Sequence, residues 1–196
     1  MEYSDRFPRL IAMSLITRLL FGPPRGDIEA LRPALYRIAY AWCHDAALAD
    51  DLVQETLARA LARRGQLRDA RALRGWVTKI LHHCWIDHLR RRREFDDWES
   101  LEDTHEAGAE TPEQCCDRTR IVACVRAAVA RLPMAQREVL TLVDLEEFGY
   151  AEVAGILGIP VGTVMSRLSR GRAALKQLLL DGAQRTAKHP VLRRVK

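Results

Sequence analysis

Aromatic residues are scarce in this chain, at 6% of 196 residues, and lysine is scarcer still, with four against 27 arginines. So few aromatics argue against an aromatic-rich β architecture and favour helices packed through Leu, Ala, Val and Ile, so the expected fold class is all-α. Cysteine is sparse and poorly arranged. Cys43, Cys84, Cys115, Cys116 and Cys124 are odd in number and form no CxxC pair, which excludes a disulfide framework. No apolar run near the start reaches the roughly 20 residues of a membrane span. The stretch from Leu10 to Phe21 is interrupted by Arg18 and lacks a small-residue cleavage site, so no secretory leader is expected and the chain belongs in the cytoplasm. Met13 offers a second start position, which would make residues 1–12 an annotation artefact. A Walker loop, a nucleophile elbow, paired catalytic carboxylates and a dinucleotide fingerprint are all missing. Neither an enzymatic activity nor a cofactor is expected.

What is present is charge, unevenly distributed. The net charge of +5 comes from 31 basic and 26 acidic residues, yet residues 94–113 hold nine acids and no base. Two basic bodies therefore flank an acidic strap, a distribution that suits a polyanionic partner for the bodies. The Arg bias itself is equally well explained by a GC-rich coding preference. Hydrophobic residues make up 48% of the chain, enough for two small cores.

The first body reads as three amphipathic helices. Ile28, Leu31, Leu35, Ile38 and Trp42 share one helical face, with Pro33 in the first turn. From about Leu48 to Arg64, Leu52, Val53, Thr56 and Ala60 lean one way and Asp51, Gln54 and Glu55 the other. From about Ala72 to Arg93, Leu73, Trp76, Val77, Ile80, Leu81, Cys84 and His88 form a continuous stripe, which casts Trp76 as a core residue. Residues 94–109 carry no period and read as an extended or disordered linker. Order resumes at Thr111-Pro112-Glu113-Gln114, where Thr111 caps a helix, Pro112 takes its first position and Gln114 completes a capping box.

In the second body Val122, Val125 and Val129 define one face, Leu132-Pro133 breaks the chain, and Val139, Leu140 and Val143 mark the next helix. A short helix from Tyr150 to Leu157, a Gly158-Ile159-Pro160 turn and a longer helix from Val161 to about Leu180 follow the helix-turn-helix plan. On that second helix Val161, Val164, Leu168 and Leu175 face inward. Thr163, Ser166, Ser169 and Arg170, flanked by Arg167 and Arg172, lie elsewhere. Hydroxyl and guanidinium groups on such a helix can reach base edges and phosphates in a major groove; the competing reading is an ordinary solvated basic face. The expected organisation is an N-terminal extension (1–24), a helical domain (25–93), an acidic linker (94–112), a helix-turn-helix domain (113–180) and a basic tail (181–196).

Two stretches carry a family resemblance. Residues from Ile159 to Arg172, preceded by Leu132-Pro133 and Arg137-Glu138-Val139-Leu140, closely resemble the fourth conserved region of bacterial RNA polymerase sigma factors. Residues Asp50 to Thr56, Leu73-Arg74-Gly75-Trp76 and Ile86 to Arg93 resemble the second. Their order, with too little chain between them for a further domain, is similar to the compact extracytoplasmic-function (ECF) group of the sigma-70 family. The resemblance implies core RNA polymerase, promoter DNA and an anti-sigma factor as partners. It implies that Asp51, Gln54 and Glu55 dock on the clamp helices of the largest catalytic polymerase subunit. By the same token the loop from Leu67 to Leu73, with Arg68, Asp69 and Arg71, captures an unstacked base of the -10 element. Arg74, Lys79, His82, His83, Arg90 and Arg91 serve that element and its melting, which flipped-base pockets and cationic grooves can drive without ATP. The -35 element falls to Met165, Ser166, Ser169 and Arg170 at base edges, with Thr163, Arg167 and Arg172 near the backbone. Met165 departs from the pattern, since many members carry Arg or Lys there and a thioether cannot donate to guanine. The acidic strap is implied to thread the RNA-exit path as a nucleic-acid mimic, beside the plainer reading of a solvated spacer.

Two other functions share parts of this pattern. An operator-binding regulator would need no docking acids beside a basic melting helix, and an adaptor that sequesters an inhibitor would need no Arg surface on the recognition helix. A metal site at His82, His83, Cys84 and His88 is not expected, because Cys84 and His88 sit on the apolar stripe and no second ligand pair follows. Cys115-Cys116 reads as incidental, since thiol reactivity requires a lowered pKa.

Overall fold

The computed structural model describes residues 25–67, 69–96 and 117–188, and all regular structure among them is helical. The chain divides into two compact units, built mainly on the helices before residue 101 and on those after it. The first holds α1 (Arg25–Glu29), α2 (Arg32–Cys43), α3 (Ala46–Ala62) and α4 (Leu73–Asp96), with 3-10 turns at Arg64–Gln66 and Ala70–Ala72 before α4. The second holds α5 (Asp117–Ala130), α6 (Met134–Leu140), α7 (Tyr150–Leu157) and α8 (Val161–Lys188); α6 runs on into one wide π turn, Thr141–Leu145.

The apolar face read across Ile28 to Trp42 is divided between two helices. Pro33 has no N–H to offer Glu29 and its ring would clash with that carbonyl, so α1 stops at Glu29 and α2 restarts with Pro33 in its first turn. Ile28, Leu35, Ile38 and Trp42 are nonetheless all buried. At the next corner His44 turns left-handed with φ 56°, and the Asp45 side chain caps α3 by accepting from Leu48 N at 3.1 Å. Leu52, Val53, Thr56 and Ala60 of α3 then meet Val77, Ile80, Leu81 and Cys84 of α4 in a single core.

Three expectations in this unit need correction. Trp76 is only half-buried, at the margin of the stripe, while Trp85, omitted from the stripe, is 5% exposed. Because α4 packs against both α2 and α3, its buried arc is wider than one stripe and is rotated away from Trp76. The linker also starts later than residue 94. No Pro or Gly interrupts the sequence from Trp76 to Asp96, and α4 continues through Glu94 and Asp96. The remaining linker, the Thr111 to Gln114 capping box, Cys115-Cys116 and residues 1–24 lie outside the described residues.

In the second unit Pro133 starts α6, and Arg137 reaches back to donate to the carbonyls of Ala130 (2.6 Å) and Leu132 (2.9 Å), satisfying the end of α5. Val129, Leu132, Val139, Leu140, Leu142, Phe148, Val153, Ile156, Val164 and Leu168 form the core. Two inward assignments fail. Val122 and Val161 are 43% and 42% exposed. Leu175 is half-buried, and α8 extends past the expected Leu180 to Lys188. The helix-turn-helix itself is as expected: α7 and α8 meet at 103°, and Gly158 at the turn has φ +67°. Gly171 is the second glycine that matters, for a Cβ there would sit 3.4 Å from Gln136 Cβ, so its absence lets α8 lie close against α6.

An L side chain at Gly158 must adopt the left-handed region at a cost of about 1–2 kcal/mol. Gly158→Ala is therefore expected to lower the urea midpoint at which the helix-turn-helix unfolds, as followed by a probe placed on α8.

Candidate nucleic-acid interface

The rotation of α8 about its axis is fixed by Val164, Leu168 and Gly171, all buried against the unit. At 100° per residue this turns Gly162, Met165, Ser166 and Ser169 outward, and all four are exposed, with Met165 at 54%. Arg170 is exposed beside them, while Thr163 and Arg167 lie half-buried toward the flank. Several of these polar groups turn back onto the protein. Ser166 Oγ donates to Thr163 O at 3.1 Å, and Arg170 Nε donates to Ser166 O at 3.2 Å. Arg172 is held by the carboxylate of Asp144 through two bonds, of 3.0 and 2.5 Å, which raise the guanidinium pKa further and brace α8 against the π turn. Nothing in the local sequence marks Asp144 as its partner, 28 residues away.

On α4, residues 79, 83 and 90 fall on one side, opposite the buried arc. Lys79, His83 and Arg90 are exposed there, with half-buried Trp76 beside them at i−3 from Lys79. His82 differs from the expectation of a DNA-facing cation. Its ring lies edge-on to Trp42, with centroids 5.9 Å apart, and burial, with smaller contributions from His83 and Lys79, lowers its pKa to about 4. It is a neutral ring packed between α4 and α2. In the preceding loop the Asp69 carboxylate accepts from Arg71 N at 2.9 Å and so organises the turn, leaving the Arg71 side chain exposed. Arg74 is half-buried and Arg91 exposed. Arg68 lies outside the described residues. Cys84 points into the core, where burial pushes its thiol pKa up, whereas neighbouring His83 points out and His88 stacks on Trp85, so the donors at 82–88 diverge.

Asp51 and Gln54 are exposed on α3, but Glu55 is engaged: Arg59 Nη2 donates to it at 2.6 Å and Arg59 Nη1 to Asp87 of α4 at 3.1 Å. The sequence reading missed Arg59 and Asp87. The i, i+4 spacing of Glu55 and Arg59 is a readable signal, but the bridge to α4 depends on how the two helices pack. Around this bridge Arg59, Asp87, Arg90 and Arg91 line a shallow, open hollow.

Comparison with known proteins finds the sigma-70 region 2 family over residues 28–95 and the sigma-70 region 4 family over residues 123–175. The chain is 39% identical to the ECF RNA polymerase sigma factor EcfG of Rhodopseudomonas palustris, across 82% of this chain and 87% of that protein. It is 34% identical to the RNA polymerase sigma-H factor of Pseudomonas aeruginosa, across 84% and 92%. Among solved structures it is similar to the sigma factor RpoE of Bartonella quintana, crystallised with the anti-sigma factor NepR, with a TM-score of 0.63 and 29% identity over 79% of this chain and 94% of that one.

Because His82 in the folded unit binds a proton far less readily than an ordinary histidine, the unfolded chain takes up that proton first as pH falls. Stability of the first unit is expected to be fully present above about pH 6.5 and to decline toward about pH 4. His82→Gln should flatten that slope in thermal melts at a series of pH values, and an unchanged slope would place the titration elsewhere.

Proposed function

The chain belongs to the extracytoplasmic-function group of the sigma-70 family of RNA polymerase sigma factors, and from that premise we propose a division of labour between its two units. It is a transcription initiation factor that binds core polymerase and directs it to promoters. The first unit docks on core polymerase through the outer face of α3, with Asp51 and Gln54 making the contact. Glu55 shares its charge with Arg59 and so contributes both to the docking face and to the tie with α4. Arg68, Asp69, Arg71 and Arg74 serve the -10 element at the loop, and Lys79, His83, Arg90 and Arg91 hold the separated strand, with Trp76 offering a ring beside Lys79. His82 is scaffold. The second unit reads the -35 element through Met165, Ser166, Ser169 and Arg170, with Thr163 and Arg167 toward the phosphates and Arg172 holding the helix in place.

The observation that carries this reading is the outer face of α8, where Met165, Ser166, Ser169 and Arg170 are all exposed on a helix set at 103° to α7. Cations set on two helical faces can neutralise phosphates, and strand separation then draws on binding energy alone, so the protein catalyses no step of its own. It works in the cytoplasm, where polymerase and chromosome are. Among the described residues no single helix is long and apolar enough to cross a membrane. An anti-sigma factor is the expected controller, a reading supported by the relative crystallised with one. The acidic strap passes through the polymerase toward the RNA-exit path.

Run-off transcription with purified core polymerase tests the whole reading, and absence of promoter-dependent initiation would sink it. The division of labour predicts opposite failures. Arg170→Ala should lose about 1–3 kcal/mol of -35 discrimination with core affinity unchanged, whereas Asp51→Arg should weaken core binding in a pull-down and leave the second unit's stability untouched.

A further inference from the structure

The exposed face of α8 carries a large apolar side chain. Met165 is 54% exposed, the highest exposure of any large hydrophobic side chain among the described residues. Its neighbours on the outward face are short: Gly162 at i−3, Ser166 at i+1 and Ser169 at i+4. The thioether is therefore the longest side chain among these four outward positions. Of the hydrogen-bond donors close by, the Ser166 hydroxyl gives its proton to Thr163 O and Arg172 is held by Asp144, while Arg170 gives its Nε–H to Ser166 O and keeps its two Nη groups for the base-edge role proposed above.

In a major groove the base edges are polar, with one exception, the C5-methyl of thymine. A flexible, polarisable thioether packs well against a methyl group. Pressed against the acceptors of guanine, or the donor and acceptor of adenine, the same side chain would strip water from polar atoms and return no hydrogen bond.

We infer that Met165 reads the C5-methyl group of one thymine in the -35 element, an apolar specificity contact where an Arg or Lys would select guanine. The inference rests on α8 being the promoter-reading helix. The neighbouring side chains fit the same role: Gly162, Ser166 and Ser169 keep the helix surface low enough for the thioether to meet a base edge. Ser166, with its proton already donated, presents oxygen lone pairs that accept from an adjacent base amino group.

The test uses the full chain assembled with core polymerase. Holoenzyme is first selected on duplex probes randomised across the -35 region, and each thymine of the recovered sequence is then replaced singly by deoxyuridine, which removes only the methyl group. Uracil at one position is expected to weaken binding by about three- to fivefold, as for one buried methyl, and 5-methylcytosine should bind better than cytosine there. Met165→Ala should abolish the methyl effect at that position alone, and Met165→Arg should shift the selected base toward guanine. Since Met165 is exposed, both variants should melt as the parent does. If the selected sequence shows no methyl-sensitive position, or if the sensitivity survives Met165→Ala, the inference is overturned while the -35 reading stands. If selection yields no preferred sequence upstream at all, α8 is not the reading helix, and both fall together.

Discussion

The seating of α8 against α6 governs what the second unit can present. Val164 and Leu168 are buried, and Gly171 brings the two helices together where any side chain would press on Gln136. Once three positions on a helix are fixed inward, the 100° spacing leaves no freedom over the others. Met165, Ser166, Ser169 and Arg170 face outward as a consequence of packing, not through any contact of their own. The Arg172–Asp144 ion pair then braces the helix against the π turn. Being largely exposed, it adds little stability; its geometric effect is to turn the Arg172 guanidinium back onto the protein.

The same logic operates in the first unit with a different outcome. α4 buries a broad arc against α2 and α3, so its opposite side displays Lys79, His83 and Arg90. His82, one residue from that side, is drawn inward by Trp42 and held neutral. The helix thus carries a core and a basic surface on one continuous element. The Glu55–Arg59–Asp87 bridge links the acidic face of α3 to α4, so a surface proposed to meet polymerase and a surface proposed to meet DNA are mechanically tied through one guanidinium.

In each unit the surface proposed to meet DNA is set by amphipathicity, opposite the side that the helix buries. The glycine-containing corner between α7 and α8 sets the angle at which the reading helix leaves its support. On the outward face of that helix the chain carries a thioether at Met165, and the proposed methyl contact follows from that side chain having no hydrogen to donate.

Much of this was legible in the sequence because helices advertise themselves through periodicity. The all-helical class, the Pro133 break, the span from Tyr150 to Leu157 and the Gly158 turn all follow from spacing and from residues with restricted backbones, whereas the division of the Ile28 to Trp42 face into two helices does not. The outward placement of Met165, Ser166, Ser169 and Arg170 follows as well, since Val164 and Leu168 identify the inner face. Periodicity fixes only directions relative to a helix's own axis. Which neighbour covers a given side, and how widely, is decided by tertiary packing. For that reason Trp76 was misread as core and Trp85 overlooked, His82 was placed among the DNA-facing residues, and the cross-helix partner Asp87 of Arg59 and the partner Asp144 of Arg172, each 28 residues away, could not be found.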